Sequence, residues 1–154
     1  MNDSPLLKKV MVIDDDDTAL FIAELSLQHY NVAEEIILKN SARAALDYLV
    51  ANESKCDLLP DIIFLDINMP GMNGFGFMDE FEKLSSVIKM KCSIMMLTSS
   101  LDINDFKKAS ANKFIHRFIN KPLDKRKLIE IKNDNPRITF FPGQQNNNVI
   151  NHKL

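Results

Sequence analysis

The chain has no tryptophan, only two cysteines, only four glycines and no hydrophobic run long enough to cross a membrane. Cys56 and Cys92 are far apart and lack a metal-type spacing, which argues against a disulfide framework and a structural zinc site. A bilayer-spanning helix needs about 20 apolar residues, and the first ten residues lack the pattern of a signal peptide. These absences predict a cytoplasmic protein with no membrane partner.

An excess of charge of one sign is also missing. Nineteen Lys and Arg residues and 21 Asp and Glu residues give a net charge of -2, and the lysines are scattered among acids. Such a chain has no general basic field, so no nucleic-acid partner is expected. With 154 residues, 45% of them hydrophobic, it has the size of one globular domain with its own core.

The most informative stretch is the apolar run 62–65, which leads directly into Asp66 and then reaches Pro70, Gly71 and Gly74. This pattern is typical of a buried strand that ends in a functional loop. Asp66 then has two interpretations. It is either a turn residue that binds its own backbone or the carboxylate around which the site is built, and the other strand ends decide between them.

Four other apolar or β-rich runs also precede segments with helical spacing of apolar residues. The predicted strands are 9–13, 32–38, 62–65, 92–97 and 114–119, and the predicted helices are 18–29, 41–50, 75–84, 102–112 and 123–131. Asp17 or Thr18 is the expected N-cap of the first helix. Strict alternation of strand and helix predicts an α/β fold, with a five-stranded parallel sheet covered by helices on both faces.

In such a sheet the working site lies beyond the carboxyl ends of the strands. Four predicted strands end in polar residues suited to one site: Asp14, Asp15, Asp66, Thr98 and Lys121. Three carboxylates at one edge repel each other unless one is protonated or a cation lies among them. Oxygen ligands without His or Cys favour Mg²⁺. The pattern therefore predicts a magnesium site for phosphoryl chemistry, with a carboxylate as the nucleophile.

Over about residues 7–132 the chain resembles the receiver domains of two-component response regulators. The matching motifs are Val12-Ile13-Asp14-Asp15, Leu65-Asp66-Ile67-Asn68-Met69-Pro70-Gly71-Met72-Asn73-Gly74, Leu97-Thr98-Ser99 and Asn120-Lys121-Pro122. The resemblance implies a doubly wound, flavodoxin-like (βα)5 fold with strand order 2-1-3-4-5. Ser99 departs from the family, which more often has a small residue without a hydroxyl there.

The resemblance also implies that Asp66 accepts a phosphoryl group from a sensor histidine kinase or a histidine phosphotransfer protein. Mg²⁺ would be held by Asp14, Asp15, Asp66 and the backbone carbonyl of Asn68, and Lys121 would bind the phosphoryl group. The protein would then be a phosphoacceptor that catalyses its own phosphorylation and dephosphorylation, and not an enzyme with a separate substrate. Its phosphorylated form would act on a downstream protein target.

Two further residues would form a conformational switch in this family. The Thr98 hydroxyl would move toward the phosphoryl group and the Phe118 ring would fill the space left behind, which changes the surface of the fourth helix, fifth strand and last helix. Phe118 also fits a plain core position in an apolar strand. A cis peptide before Pro122 is the family habit and is chemically reasonable for an X-Pro bond.

Two alternatives differ in chemistry. The segment Asp14 to Thr18 also resembles haloacid-dehalogenase-type phosphatases, with Asp14 as nucleophile and Asp16 as acid, but this leaves the Asp66 loop unexplained. A pseudo-receiver would keep the fold as a protein-interaction module without the chemistry. Residues 133–154 are polar with one apolar patch at 138–141, which predicts a flexible tail after a receiver domain at 1–132. No output domain is expected, so the chain would act as a stand-alone receiver.

Overall fold

The computed structural model describes residues 4–100 and 102–134. Its strands are β1 (Leu7–Ile13), β2 (Ala33–Lys39), β3 (Ile62–Asp66), β4 (Ser93–Thr98) and β5 (Ile115–Asn120). Its helices are α1 (Asp17–His29), α2 (Ala42–Ala51), α3 (Gly74–Glu82), α4 (Ser86–Lys91), α5 (Ile103–Ala111) and α6 (Lys125–Asn133), with a 3-10 turn at Cys56–Leu58. All neighbouring strands are parallel, in the order β2-β1-β3-β4-β5. The predicted α/β fold and strand order are confirmed.

The sheet separates two hydrophobic cores. Met11 of β1 packs into the core on the side of α2 to α5, whereas its neighbour Val12 packs into the core under α1 and α6. This follows from the alternation of side chains along a strand. Because both faces are covered, the central strands need apolar residues at every position, and all five residues of β3 are buried. Asp66 is thus the last residue of a strand with no solvent-facing side.

Two helical details differ from the sequence-based expectation. The N-cap of α1 is Asp16, whose Oδ1 accepts hydrogen bonds from the backbone N–H of Thr18 at 2.9 Å and of Ala19 at 3.4 Å. Since aspartates in a row are all good N-caps, the expected cap at Asp17 or Thr18 was wrong by one or two positions. Helix α4 was not predicted, because six residues with one buried side chain, Ile88, are too few to show a period.

The loop after β3 returns closely onto the strand end. Gly71 has φ +74°, a left-handed conformation that glycine adopts without steric cost. Gly74 donates its backbone N–H to the Ile67 carbonyl at 2.9 Å. A Cβ on Gly74 would lie 2.7 Å from the Asp66 carbonyl oxygen and 2.9 Å from the Ile67 Cα. Glycine at 74 therefore allows α3 to start directly against the backbone of the Asp66 loop.

Gly74→Ala is expected to destabilise the fold by about 2 kcal/mol or more, because the contacted atoms are backbone and cannot move aside. Gly76→Ala is the matched control, since its Cβ would meet the flexible Met72 side chain at 3.0 Å. The control should change stability by no more than about 1 kcal/mol. Urea unfolding of both variants measures the difference, and equal losses would show that close backbone approach at Gly74 is not the reason for glycine there.

The described chain ends just after α6, with Asp134 as C-cap. The side chain of Asp134 forms an ion pair with the buried guanidinium of Arg117 on β5. Of the predicted tail 133–154, the structure describes Asn133, the last residue of α6, and Asp134. The rest of the tail, including Phe140 and Phe141, lies outside the described residues, and the domain boundary at 132 stays a prediction. Within residues 4–100 and 102–134, no helix combines the length and the hydrophobicity that a transmembrane span requires.

Candidate functional site

The carboxyl ends of the strands bring the predicted site residues together. Asp66 is the last residue of β3 and pairs in register with Leu97, next to Thr98, the last residue of β4. Thr98 in turn pairs with Asn120 of β5, and Lys121 follows directly. Parallel strands in this register place consecutive strand ends at one edge. The predicted convergence is therefore present.

The three carboxylates form one cluster. One carboxylate oxygen each from Asp14, Asp15 and Asp66 lies within 4.8 Å of the other two. Asp14 and Asp66 are buried, at 3% and 5% exposure, whereas Asp15 is exposed. The Asp14 Oδ1 also accepts the backbone N–H of Asp16 at 3.0 Å. Hence the Asp14 and Asp66 carboxylates are shielded from solvent, whereas the exposed Asp15 leaves one side of the cluster open to it.

Lys121 neutralises part of this charge. Its Nζ lies 2.5 Å from the Asp14 Oδ2 and 3.2 Å from the Asp66 Oδ1. Burial lowers the pKa of the Lys121 ammonium, but the hydrogen bond to Asp14 and the charge of Asp66 outweigh this, so the pKa is raised above its usual value. The backbone N–H of Lys121 donates to the Thr98 carbonyl at 2.7 Å, and its peptide bond to Pro122 is cis, as the resemblance implied.

Asp66 has a raised pKa. Burial is the largest cause, the Lys121 ammonium opposes it, and the charge of Asp14 adds to it. A carboxyl whose pKa is higher in the folded state binds more protons there than in the unfolded chain. The free energy of unfolding therefore falls as the pH rises from the pKa of this carboxyl in the unfolded chain to its pKa in the folded protein. Above the folded pKa the full loss of stability is present. The ionised Asp66 carboxylate therefore opposes folding.

We expect Asp66→Asn to raise the midpoint of thermal unfolding at pH 7 in the presence of EDTA. The amide removes a negative charge from the cluster and leaves the Lys121 pair with Asp14 in place. As the pH falls below the ordinary aspartate pKa, the wild-type carboxyl becomes neutral in both states and the difference should disappear. Thermal unfolding from pH 3.5 to pH 8, read by circular dichroism, tests this. A constant difference across that range would contradict it.

The two predicted switch residues occupy different surroundings. The Thr98 side chain is fully buried, and its Oγ1 donates to the Ser100 carbonyl at 2.9 Å and accepts the Ser100 N–H at 3.0 Å. Phe118 is 7% exposed and meets Phe106 of α5 edge-on, with ring centroids 5.7 Å apart. In this conformation the Thr98 hydroxyl binds its own loop, and the Phe118 ring is packed in the core.

The remaining predicted ligand, Asn68, is an exposed residue of the loop two positions after Asp66, and the ligand role of its carbonyl stays a prediction. Sequence reasoning gave no role to Lys127, which the structure buries beside Lys121. A signal was present, because Lys127 falls on the same helical stripe as the apolar residues Leu128 and Ile131. A lysine on a buried stripe is unusual enough to mark a position for inspection.

Comparison with known proteins agrees with the geometry. The model of the response regulator receiver domain matches residues 10–133, so the chain belongs to this family of two-component signalling proteins. A two-component response regulator from Cytophaga hutchinsonii has a similar crystal structure, with 33% identity, a TM-score of 0.78, and coverage of 85% of this chain and 98% of that chain. A receiver protein from Dyadobacter fermentans gives 29% identity, a TM-score of 0.74, and coverage of 83% and 97%.

Similarity extends to longer regulators. The two-component response regulator ARR12 of Arabidopsis thaliana is 31% identical over 98 residues, which is 64% of this chain and 15% of that protein. The two-component response regulator ORR26 of rice is 34% identical over 94 residues, or 61% and 14%. The chain thus spans about one seventh of the length of these relatives.

Proposed function

We propose that Asp66 accepts a phosphoryl group in a Mg²⁺-dependent reaction, and that the phosphorylated protein signals through a change of conformation. The observation that carries this proposal is the convergence of three carboxylates within 4.8 Å with a lysine ammonium 3.2 Å from the Asp66 Oδ1. Membership in the receiver family supports it. The protein is then a phosphoacceptor that promotes its own phosphorylation and dephosphorylation.

The donor set fits magnesium. Asp14, Asp15 and Asp66 offer hard carboxylate oxygens, which Mg²⁺ prefers, and the exposed Asp15 leaves room for the water ligands that this ion retains. The Asn68 carbonyl would complete the protein ligands. Three carboxylates and one ammonium leave a net charge of -2, which a divalent cation balances. When bound, the ion supplies positive charge to the transferring phosphoryl oxygens.

Asp66 and Lys121 have different roles in the proposed phosphoryl transfer. A carboxylate oxygen of Asp66 attacks phosphorus, the bond from phosphorus to the donor nitrogen or oxygen breaks, and its electron pair leaves with the donor. Lys121 exchanges carboxylate contacts for a phosphoryl oxygen, and so stabilises the charge of the transition state. The product is an aspartyl phosphate.

Thr98 and Phe118 provide the proposed response to phosphorylation. The two hydrogen bonds that hold the Thr98 hydroxyl are both made to Ser100, so a single rotation of the side chain can exchange them for one bond to a phosphoryl oxygen. The space vacated would allow Phe118 to leave its contact with Phe106. Such a rearrangement changes the surface of α5, β5 and α6, where a downstream protein target would bind.

The proposed phosphodonor is a sensor histidine kinase or a histidine phosphotransfer protein. A groove of about 130 Å³ lies between α1 and the loop after β5, and residues of its lining include Asp14, Lys121 and Ile22. Ile22 is one of three exposed apolar side chains on α1, with Phe21 and Leu25. Apolar surface continuous with the reactive edge suits a protein donor. A cytoplasmic location belongs to the same proposal.

The experiment that tests the proposal is incubation with acetyl phosphate and Mg²⁺, followed by intact mass measurement and mapping of the adduct. We expect one phosphoryl group on Asp66, and none when EDTA replaces Mg²⁺. Steady hydrolysis with an adduct on Asp14 would support the phosphatase alternative, although Asp16, the acid it requires, serves as the N-cap of α1. No adduct at any Mg²⁺ concentration would support a pseudo-receiver.

A further inference from the structure

Helix α6 carries a buried lysine whose ammonium donates hydrogen bonds to the end of β5 and to the loop that follows it. Lys127 is 6% exposed, although lysine is almost never buried without partners. Its Nζ donates to the Asn120 carbonyl at 2.6 Å and to the Pro122 carbonyl at 2.9 Å. The Asp124 carboxylate lies farther away, at 3.8 Å, and is half exposed. The close partners of this charge are therefore two backbone carbonyls.

These two carbonyls flank Lys121, the residue that reaches into the carboxylate cluster. Asn120 precedes it and Pro122 follows it, so one ammonium holds the backbone on both sides. The Lys121 N–H is held separately, by the Thr98 carbonyl at 2.7 Å. The Thr98 carbonyl of β4 and the Lys127 ammonium of α6 together fix the backbone from which the Lys121 side chain extends.

Helix docking alone does not explain Lys127. The first turn of α6 is capped by the Asp124 side chain, which accepts the Lys127 backbone N–H at 3.0 Å, and the helix is packed through Leu128 and Ile131, both fully buried. The Pro122 carbonyl already accepts the Asp124 N–H at 3.0 Å. Burying an ammonium costs free energy that an apolar side chain would not. We therefore looked to the groups that the Lys127 ammonium holds for the reason that a lysine is buried at this position.

We propose that Lys127 is a positioning residue for Lys121: it clamps the carbonyls of Asn120 and Pro122 so that the Lys121 ammonium stays in reach of the reacting carboxylate. This inference rests on the proposed phosphoryl transfer to Asp66. A lysine side chain has four rotatable bonds, so a displaced backbone would let its charge drift away from Asp14 and Asp66. Such misplacement slows a reaction without removing any group that contacts the phosphoryl group.

Lys127→Met retains the length of the stem and removes the donors. We expect it to lower the maximal rate constant for phosphorylation by acetyl phosphate about tenfold at saturating Mg²⁺, because the Lys121 ammonium is no longer held in reach of Asp66. Lys127→Arg keeps donors at this position and should recover most of the rate. Leu128→Ala is the control for loss of stability, because it removes a fully buried side chain from α6 and keeps the Lys127 ammonium.

A double-mutant cycle shows whether Lys127 acts through Lys121. In a Lys121→Ala background, the additional Lys127→Met change should have no further effect on the rate constant, since residues that act as a unit are not additive. Full additivity would overturn the proposal. So would an equal loss of rate in Leu128→Ala, because the effect would then follow stability alone.

A second readout does not depend on phosphoryl chemistry. In protein labelled with ¹³C-lysine, the ε-carbon resonance of Lys121 is identified by its disappearance in Lys121→Ala. We expect Lys127→Met to shift this resonance in the metal-free protein, and Leu128→Ala to leave it in place. If the wild type forms no adduct, the proposed function fails while the resonance still decides the positioning role. An unchanged resonance overturns that role. If Lys127→Met does not fold, Lys127→Gln replaces it in both measurements.

Discussion

Asp66→Asn is expected to lose the phosphoryl adduct completely, with no detectable incorporation at acetyl phosphate and Mg²⁺ concentrations that saturate the wild type. The amide has nearly the same shape as the carboxylate, but its oxygen is a far weaker nucleophile and carries no charge. We expect no transfer to the neighbouring Asp14, whose Oδ2 lies closer to the Lys121 ammonium, at 2.5 Å, and whose Oδ1 accepts the Asp16 N–H. We therefore expect complete loss of phosphoryl incorporation and not a reduced rate.

Asp16→Asn is the matched control for this change. It removes one carboxylate close to the same edge, and asparagine is as good an N-cap as aspartate, so α1 should keep its start. Incorporation in this variant should stay within about twofold of the wild type, since Asp16 faces backbone amides and not the cluster. Intact mass spectrometry at several times gives both rates. An adduct that persists in Asp66→Asn would exclude Asp66 as the nucleophile.

Lys121→Ala is expected to separate phosphorylation from its structural consequence. Loss of the ammonium removes the group that links Asp66 and Asp14 to the backbone after β5, so a phosphoryl group on Asp66 would lack this charged partner. The adduct should form at least about tenfold more slowly. When equal amounts of adduct are compared, the surface of α5 and β5 should respond little or not at all.

Amide hydrogen exchange over residues 102–120 measures that response, before and after phosphorylation. Lys125→Ala provides the control, because Lys125 is an exposed lysine at the start of α6 and its loss removes the same charge from the same region. The control should respond as the wild type does. A normal exchange response in phosphorylated Lys121→Ala would show that the coupling does not pass through this lysine.

Much of the fold and of the site could be predicted from local patterns. Uninterrupted apolar runs such as 62–65 identify strands buried on both faces, and the polar residue that ends each run marks the edge of the sheet. The set Asp14, Asp15, Asp66 and Lys121 follows from this rule before any coordinates are known. The functional interpretation of this set depends on the order of the strand-end residues along the chain, which can be read from the sequence.

The less predictable elements were those without a repeating pattern. Helix α4 has six residues and no period, and the choice of Asp16 as N-cap among adjacent aspartates depends on how the chain leaves β1. The close approach of Gly74 to the backbone of Asp66 was visible only as a glycine in a loop. The helix α4, the N-cap at Asp16 and the close approach at Gly74 all depend on contacts between atoms that are close in space. Secondary-structure propensities of single residues do not describe such contacts.

The sequence by itself determined the parallel α/β sheet, the edge at which the site forms and the carboxylates and lysine that meet there, because burial and strand direction are encoded in local hydrophobic patterns. Only the tertiary structure decided which partners these groups choose. Lys121 pairs with Asp14 across 107 positions, the Thr98 hydroxyl turns to Ser100, and Lys127 is buried against the loop that carries Lys121. The reason is physical: a side chain selects its conformation by charge and packing in three dimensions, and residues distant in sequence supply both.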